Sequence, residues 1–406
     1  MACVPLKLNI GTPNYITTPL GLINNFTSYP TITNTPLGNL IYINGYIYAG
    51  INNNIYMFNA STYELISNTV VGNSTLTVTA YDPVNTTLYI ASQAPAIVTL
   101  NVITNTTTTI TNGIYNTPLA LVYNPADGNI YFTQTNSIYQ LNTSTQAITT
   151  IANPAGGNLN SIAIDPTTGY LWVISEVAIY VYTTSGTSIT TITPTGPHNM
   201  RQILYNPVTK DFYITDSYLS SMIVVNPATN SIIATVPVGY SPYNIVFDPL
   251  NQFIYVASLN SSSVGVFDPA TNTYLGDFGL ETNLNTLFFN PATGDIVVAP
   301  NSTINPFVLI AFRPQVPVSR LVKAVVDIPV PVSVPVFYTQ TNTVNVHAPS
   351  FASITAIEIL APVLQGGLVQ VTATNNNNGT VTLNTSFNNP SIMNNTFKYL
   401  QVNLLW

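Results

Sequence analysis

Charged side chains are what this sequence has least of. Only 7 of the 406 residues are Lys or Arg and 14 are Asp or Glu, so charged residues make up 5% of the chain, against about 25% in an ordinary soluble domain. The few bases are dispersed, which excludes the clustered cations that bind nucleic-acid phosphates. A surface of Asn, Thr, Ser and Tyr keeps its hydrogen bonds where carboxylates protonate. The composition therefore favours an acid-stable protein in an acidic exterior.

Cysteine and histidine are also scarce. The single cysteine, Cys3, excludes an internal disulfide. With His198 and His347 as the only histidines, we predict no metal site and no cofactor, because a metal needs several converging ligands. A Ser-His-acid triad would have to use one of these two histidines, and neither paired carboxylates nor a Gly-rich phosphate loop stands out. We therefore predict no catalytic residues and no enzymatic activity.

Long apolar runs are missing as well, although hydrophobic residues make up 46% of the chain. No run approaches the roughly 18 to 20 residues that a membrane span needs, so no span is predicted. The segment from Met1 to Pro13 lacks a basic stretch followed by a long apolar one. We accordingly predict no signal peptide at Met1.

What the sequence does contain is a repeat, exemplified by IVFDPLNQFIYVAS at 245–258. An apolar run, an Asp-Pro or Asn-Pro pair and a second apolar run recur at spacings of 42, 41, 41, 42 and 42 residues. A shorter relative at 41–50 brings the number of repeats to seven. A period of about 40 to 45 residues made of short strands is typical of a propeller blade. The residues that begin the turn are Asp82, Asn124, Asp165, Asn206, Asp248 and Asn290.

Asp and Asn alternate at this turn position. A short side-chain carbonyl can accept a nearby backbone N–H, and the following Pro fixes the next φ. Because Asp and Asn serve equally, we interpret the position as needing an acceptor and not a charge.

The repeats carry IYVAS and LYIAS, together with a G-x-x-P segment at Gly239–Pro242. In these features they resemble YVTN-type β-propeller repeats of archaeal and bacterial cell-surface proteins, over about three quarters of the chain. The resemblance implies a β-propeller. With the seven repeats, and with the alternation of apolar and polar residues over 339–406, we predict an all-β fold: a seven-bladed β-propeller followed by a small antiparallel β-sandwich. The resemblance implies little about function, because propellers host many activities.

We predict three segments. Residues 1–313 form the propeller, with residues 4–11 as the outer strand of the seventh blade, which closes the ring and hides strand edges. Residues 12–38 are then a long crossover. Residues 314–338, rich in Pro and Val, are a linker or edge strands, and residues 339–406 form a β-sandwich for docking or assembly.

Loops that enter the innermost strands gather on one face of a propeller, and here they are rich in Tyr and Asn. Aromatic rings stack on the apolar faces of sugars, and side-chain amides hydrogen-bond to sugar hydroxyls. The composition of these loops therefore favours glycan binding. The alternative is that any loop of so Tyr- and Asn-rich a chain would look the same. Arg201 is the most specific candidate, because so few charges exist. The candidate residues are Tyr115, Asn116, Asn158, Asn160, His198, Asn199, Arg201, Tyr240, Tyr243, Asn244, Asn283 and Asn285.

Eleven Asn-x-Ser/Thr sequons fit a glycosylated exterior, where glycans would add the solubility that charge does not supply. The alternative is chance, since a chain rich in Asn and Thr generates sequons without selection. The candidates are Asn25, Asn59, Asn73, Asn85, Asn105, Asn142, Asn260, Asn301, Asn378, Asn384 and Asn394.

These features favour a virion surface structural protein of a virus of a thermoacidophilic archaeon. Its propeller would attach to a host-surface glycan or protein, and its C-terminal domain would dock on other virion or surface-layer proteins or form a homo-oligomer. The alternative is an archaeal cell-surface adhesin, S-layer-associated or filamentous. A propeller-fold lyase or glycan hydrolase is a third hypothesis, which would need a cluster of charged residues around the channel.

Overall fold

A computed structural model of the chain shows an all-β protein with no helix among the residues it describes. Within those residues nothing resembles a membrane-spanning helix. The chain divides into two compact units, Gly21–Pro314 and a second unit made of Met1–Leu20 and Gln315–Trp406. The described residues are 25–29, 37–71, 74–259, 263–279, 284–300 and 307–312, and the backbone of strands at 321–322, 328–329, 338–345, 356–359, 369–375, 380–387, 399–400 and 402–405.

The unit Gly21–Pro314 consists of seven four-stranded antiparallel sheets, each of which is one blade. The first strand of the chain is β1 (Asn25–Tyr29). Blades 1 to 3 comprise β2 (Leu37–Ile43), β3 (Tyr46–Ile51), β4 (Asn54–Asn59), β5 (Leu65–Val70); β6 (Leu76–Asp82), β7 (Thr87–Ser92), β8 (Ala96–Asn101), β9 (Thr106–Ile110); and β10 (Ala120–Asn124), β11 (Asn129–Gln134), β12 (Ser137–Leu141), β13 (Ile148–Ala152).

The remaining blades follow the same order of strands. Blades 4 to 6 comprise β14 (Leu159–Ile164), β15 (Leu171–Ser175), β16 (Ile179–Tyr182), β17 (Ser188–Ile192); β18 (Met200–Tyr205), β19 (Phe212–Asp216), β20 (Ser221–Asn226), β21 (Ser231–Pro237); and β22 (Pro242–Phe247), β23 (Ile254–Ser258), β24 (Ser263–Asp268), β25 (Thr273–Gly279). Blade 7 comprises β26 (Leu284–Asn290), β27 (Asp295–Pro300), β28 (Phe307–Phe312) and β1. The predicted seven-bladed propeller is confirmed.

The first strand of each blade is the inner one, and each inner strand contacts the inner strand of the next blade around the ring. Because the strands run antiparallel, the connections divide between two faces. The entry face carries the loops that lead from one blade to the next and those that join second to third strands. The turn face carries the loops that join first to second and third to fourth strands.

Seven apolar clusters hold the blades together, and each cluster lies between two neighbouring blades. The second strands are buried over nearly their whole length, as in β15 and β23, because both faces of the sheet pack on a neighbour. Tyr46 at the start of β3 is the exposed exception. In blades 4 and 5, Trp172 stacks on Phe212 with ring centroids 4.5 Å apart. The burial of these apolar side chains is the main stabilising contribution to the ring.

The Asx-Pro turns lie on the turn face, and their first side chains are buried acceptors. Asp82, Asp248 and Asn206 are each no more than 1% exposed. Their Oδ1 atoms accept the backbone N–H groups of Val84, Leu250 and Val208 at 2.9, 2.8 and 2.9 Å. Asp and Asn make the same bond, which confirms that the position needs an acceptor.

The outer strand of blade 7 comes from the N-terminal part of the chain. Strand β1 pairs antiparallel with β28, from Asn25 opposite Ala311 to Tyr29 opposite Phe307. This position is therefore filled by β1 and not by residues 4–11, which lie outside the described residues. Strand β1 also interrupts the segment 12–38 that we predicted as a crossover. An outer strand pairs with the sheet along one edge only, through its backbone, so local sequence did not distinguish the two segments.

A polar latch on the turn face accompanies this closure. Tyr63, only 2% exposed, extends from blade 1 and donates its hydroxyl to Asp295 Oδ2 in blade 7 at 2.8 Å. Asn290 Nδ2 donates to the same hydroxyl at 2.9 Å and to the carbonyl oxygen of Ala60 at 2.6 Å. Burial raises the pKa of the Tyr63 phenol far above its usual value, so the group stays neutral and donates at any physiological pH.

The described strands of the second unit form three small antiparallel sheets. Their orders are β31-β34-β33, β29-β36-β32 and β30-β35. The predicted β-sandwich of 339–406 stays a prediction, and the hairpin turn expected at 375–379, between β33 and β34, falls largely on residues outside the described part. The strands are β29 (Leu321–Val322), β30 (Ile328–Pro329), β31 (Tyr338–Asn345), β32 (Ala356–Ile359), β33 (Val369–Asn375), β34 (Thr380–Phe387), β35 (Tyr399–Leu400) and β36 (Val402–Leu405).

Candidate functional site

A β-bulge near the start of the inner strand recurs in six of the seven blades. The register against the second strand shifts between Leu159 and Ser161 in β14, between Met200 and Ile203 in β18, and in the same place in β2, β6, β22 and β26. A bulge bends the strand and turns the side chain of the extra residue. Each bulge lies at the entry face, where the inner strands surround the central opening of the ring.

The bulge residues of blades 4, 5 and 6 are Asn160, Arg201 and Tyr243, which are 41 and 42 residues apart. They occupy equivalent positions in neighbouring blades. The guanidinium carbon of Arg201 lies 5.8 Å from the ring centroid of Tyr243, within the range of a cation–π interaction. On the other side, Arg201 Nε donates to Ser217 Oγ at 3.2 Å.

Next to Arg201, the side chain of Asp216 organises the loop between β19 and β20. The Asp216 carboxylate is fully buried, and its Oδ1 accepts the backbone N–H groups of Asn199, Tyr218 and Leu219 at 3.0, 3.0 and 3.3 Å. Its Oδ2 lies 2.6 Å from Nδ1 of His198, whose side chain is 4% exposed. This is the only carboxylate–imidazole pair among the described residues, and it joins the segment before β18 to the loop between β19 and β20.

The loop that Asp216 organises is joined to the loop from blade 5 to blade 6. Ser220 accepts the N–H of Val238 through its carbonyl at 2.9 Å and the N–H of Ser241 through its Oγ at 3.3 Å. Tyr218 on the first loop is 63% exposed and Tyr240 on the second 65%. We call Arg201, Ser217, Tyr218, Tyr240 and Tyr243 the entry-face cluster.

The structure separates the predicted binding residues into two groups. Several amides serve the framework: Asn160 Nδ2 donates to the Met200 carbonyl at 2.7 Å, and Asn244 Oδ1 accepts the N–H of Leu287 at 2.8 Å. Both bonds connect one blade to the next, so these side chains are structural.

The others face solvent or lie apart from the cluster. Tyr115, 75% exposed, lies with Asn116 on the loop from blade 2 to blade 3. Asn158 is exposed on the loop into blade 4. His198 and Asn199 belong to the buried support of the cluster. Asn283 lies outside the described residues, and of Asn285 only the position in β26 is described.

Two important residues were missed among the predicted binding residues, namely Asp216 and Tyr218. Both could have been found by aligning the repeats at the end of the second strand, where Ser92, Ser175 and Ser258 stand in other blades. An Asp in place of Ser at a buried strand end needs partners, and this residue finds them in the loop that bears Tyr218.

The exposed Tyr and Asn side chains of this face can stack on a ligand and hydrogen-bond to it. The Nε2 atom of His198 lies 3.2 Å from the backbone carbonyl oxygen of Thr195, and no hydrogen bond from Nε2 to a hydroxyl is observed among the described residues. The part of the chain that the structure describes contains no group of three or more His, Cys, Asp or Glu residues that could hold a metal.

Four of the eleven sequons have described side chains, and all four lie in loops of the turn face. The Asn59 and Asn142 Oδ1 atoms each accept two backbone N–H groups of their own turns. Asn85 Nδ2 donates to Asp82 Oδ2 at 2.7 Å. Asn105 is exposed, and its side-chain amide makes no hydrogen bond to any described residue, while its backbone N–H donates to the Asn101 carbonyl at 2.9 Å.

Comparison with known proteins gives a family and no function. The family model described as "Domain of unknown function (DUF5074)" matches residues 28–268, which is more than half of the 406 residues. The match extends from β1 to the end of β24 and so includes the entry-face cluster. No curated protein matches the chain.

Proposed function

The chain belongs to the DUF5074 family, and from that premise we propose that it is a non-enzymatic surface protein whose entry-face cluster recognises saccharides on a host surface. The observation that carries this proposal is the exposure of Tyr218 and Tyr240, 63% and 65%, on two loops that are hydrogen-bonded to each other through Ser220. Exposed, well-anchored aromatic rings stack on the apolar faces of sugars at little cost in conformational entropy.

The pair formed by His198 and Asp216 supports a binding role over a catalytic one. The carboxylate is committed to three backbone N–H groups and to the imidazole, so it holds loops in place. A catalytic pair would present the second imidazole nitrogen to a nucleophile or a substrate. Here that nitrogen faces the carbonyl of Thr195.

For the setting, our first candidate is the virion surface of an archaeal virus, with the propeller directed outward and the C-terminal β unit docking on the particle. The second candidate is an archaeal cell-surface adhesin. The scarcity of charge, 5% of residues, supports an acidic exterior in both cases, because neutral hydrogen bonds are insensitive to acid. Mass spectrometry of purified particles and of cell envelopes would separate the two, since the protein should be abundant in one fraction only.

Binding of the full chain to immobilised neutral and acidic oligosaccharides tests the recognition role. We expect at least one class to bind, and the double variant Tyr218→Ala/Tyr240→Ala to lose about 10-fold or more in affinity, because each stacked ring contributes about 1 kcal/mol. Tyr46→Ala is the matched control, since Tyr46 is 37% exposed at the turn face. A folded wild-type protein that binds no saccharide on the panel would disprove the role.

We also propose that Asn105 is the most highly occupied of the sequons with described side chains. Asn105 is an exposed residue whose side-chain amide makes no hydrogen bond to any described residue. The side-chain amide of Asn85, by contrast, would have to give up its hydrogen bond to Asp82. Glycopeptide mass spectrometry of protein from its native source measures the occupancy. A glycan on Asn85 with Asn105 unmodified would contradict the prediction.

A further inference from the structure

The guanidinium of Arg201 is a positive charge without a protein counter-ion among the described residues. No carboxylate of a described residue lies within ion-pair distance of it, and the one such contact found there joins Asp216 to the imidazole of His198. Arg201 Nε donates a hydrogen bond to the neutral hydroxyl of Ser217. Its two terminal nitrogens make no hydrogen bond to a described residue. The exposed Glu176, whose backbone carbonyl accepts the N–H of Met200 at 3.1 Å, makes no ion pair with it.

This arrangement is unusual in a chain that has so few charges. Arg201 and Lys210 are the only Lys or Arg among the described residues, and Lys210 lies on the turn face, in the loop between β18 and β19. Arg201 is half-buried, so its guanidinium has given up part of its hydration without a carboxylate in return. A bound anion would supply the opposite charge that no carboxylate provides.

The geometry of the guanidinium indicates how an anion would bind. The ring centroid of Tyr243 lies 5.8 Å from the guanidinium carbon, and Ser217 Oγ accepts the hydrogen bond from Nε. The terminal N–H groups remain for the two oxygen atoms of an oxyanion, which a guanidinium binds side by side. Tyr218 and Tyr240 stand on the adjoining loops and are exposed enough to stack on sugar rings.

We propose that Arg201 forms an oxyanion subsite in the entry-face cluster, and that the saccharides recognised there carry a carboxylate or a sulfate group. This inference rests on the proposed saccharide recognition and adds the class of ligand. Arg201 binds the anionic group, Tyr243 holds the guanidinium in place, and the exposed tyrosines contact the sugar rings.

Four soluble probes test the subsite by calorimetric titration of the full chain. They are a galacturonic acid trisaccharide, its methyl ester, a sulfated galactose trisaccharide and the unmodified galactose trisaccharide. We expect the acid or the sulfated probe to bind about 10- to 100-fold more tightly than its neutral counterpart, the range of one charge-assisted pair. The anionic probe that binds more tightly shows whether the oxyanion is a carboxylate or a sulfate. The preference should diminish as salt is added.

Arg201→Gln should remove this preference, because the charge is lost while Gln can still donate to Ser217. Arg201→Lys should keep part of it, since the charge stays but the planar pair of donors is lost. Lys210→Gln removes the same charge from the turn face and should change nothing. Thermal unfolding of each variant checks that it is folded, and the comparison of acid with ester on the wild type does not depend on any variant.

The outcomes distinguish the subsite from the proposed function. Equal binding of charged and neutral probes, unchanged by Arg201→Gln, would overturn the oxyanion subsite while saccharide recognition stands. Loss of the preference in Lys210→Gln as well would overturn it too, because the effect would then reflect net charge. Absence of binding to all four probes, and to the immobilised panel, would overturn the proposed function itself.

Discussion

Replacing Tyr63 with alanine is expected to lower the free energy of unfolding by about 4 kcal/mol, the cost of deleting a buried aromatic side chain. Tyr63 is 2% exposed and belongs to the apolar cluster between blades 7 and 1. Its hydroxyl also joins these blades through Asp295 and Asn290, more than 220 residues further along the chain. Chemical denaturation of the variant and the wild type measures the difference.

Tyr63→Phe isolates the polar latch from the packing. It keeps the ring and removes the hydroxyl that contacts Thr293, Asp295 and Asn290, which we expect to cost about 1 to 3 kcal/mol because the partners are buried. Phe can adopt the backbone φ of 60° found at Tyr63 no less readily than Tyr, so the backbone contributes no difference.

The matched control is Tyr131→Phe in blade 3. Tyr131 is fully buried, donates to Asp127 Oδ2 at 2.6 Å and accepts from Gln140 at 2.9 Å. Both variants should lose similar global stability. Only Tyr63→Phe should speed amide hydrogen exchange in blades 1 and 7 ahead of the others, because local opening begins where the ring closes. Uniform exchange in both variants would show that the closure is no weaker than the other interfaces.

The prediction about Tyr63 depends on information that the repeat did not contain. The 41- and 42-residue spacing and the Asx-Pro turns were enough to predict seven blades and a buried acceptor, since both are local features repeated in the chain. Which N-terminal segment pairs with β28 is a matter of tertiary register. LKLNIG near the start alternates apolar and polar residues more regularly than NFTSY in β1, yet β1 fills the position.

The sequence predicted only part of the candidate site, and the reason is similar. Loop membership correctly indicated that Tyr240 and Arg201 lie on one face. It did not separate exposed residues from Asn160 and Asn244, whose amides connect neighbouring blades. That difference arises from bulges and from bonds between residues about 40 apart. A single repeat read by itself therefore cannot show it.

Replacing Asp248 with asparagine is expected to stabilise the protein at neutral pH and to change little in acid. Asp248 is 1% exposed, and this burial raises the pKa of its carboxyl from 3.8 to about 6, although the N–H groups of Leu250 and Asn251 oppose the shift. In the unfolded chain the carboxyl titrates near its ordinary value. Between these two values the folded state binds the proton more tightly.

The sign of the pH dependence follows from this difference. A carboxyl whose pKa is raised on folding stabilises the protein when protonated, so stability is greatest below pH 4 and is lost as the pH rises toward 6. A shift of about 2 pKa units corresponds to about 3 kcal/mol. Asn206 occupies the same position in blade 5 and accepts the same turn bond, but its Nδ2 is buried without a partner. We therefore expect a gain of about 1 to 3 kcal/mol from Asp248→Asn above pH 6.

Two comparisons make this prediction specific to the carboxyl proton. Unfolding of wild type and Asp248→Asn is measured by calorimetry across the acid range, and the two stability curves should converge below pH 4 and separate above it. Asp248→Ala removes the acceptor for the Leu250 N–H, 2.8 Å away, and should be less stable than Asp248→Asn at every pH. Parallel curves for wild type and Asp248→Asn would mean that the carboxyl of Asp248 has the same pKa in the folded and the unfolded state. Converging curves would mean that this turn of the propeller is most stable in the acidic exterior that the scarcity of charge suggests.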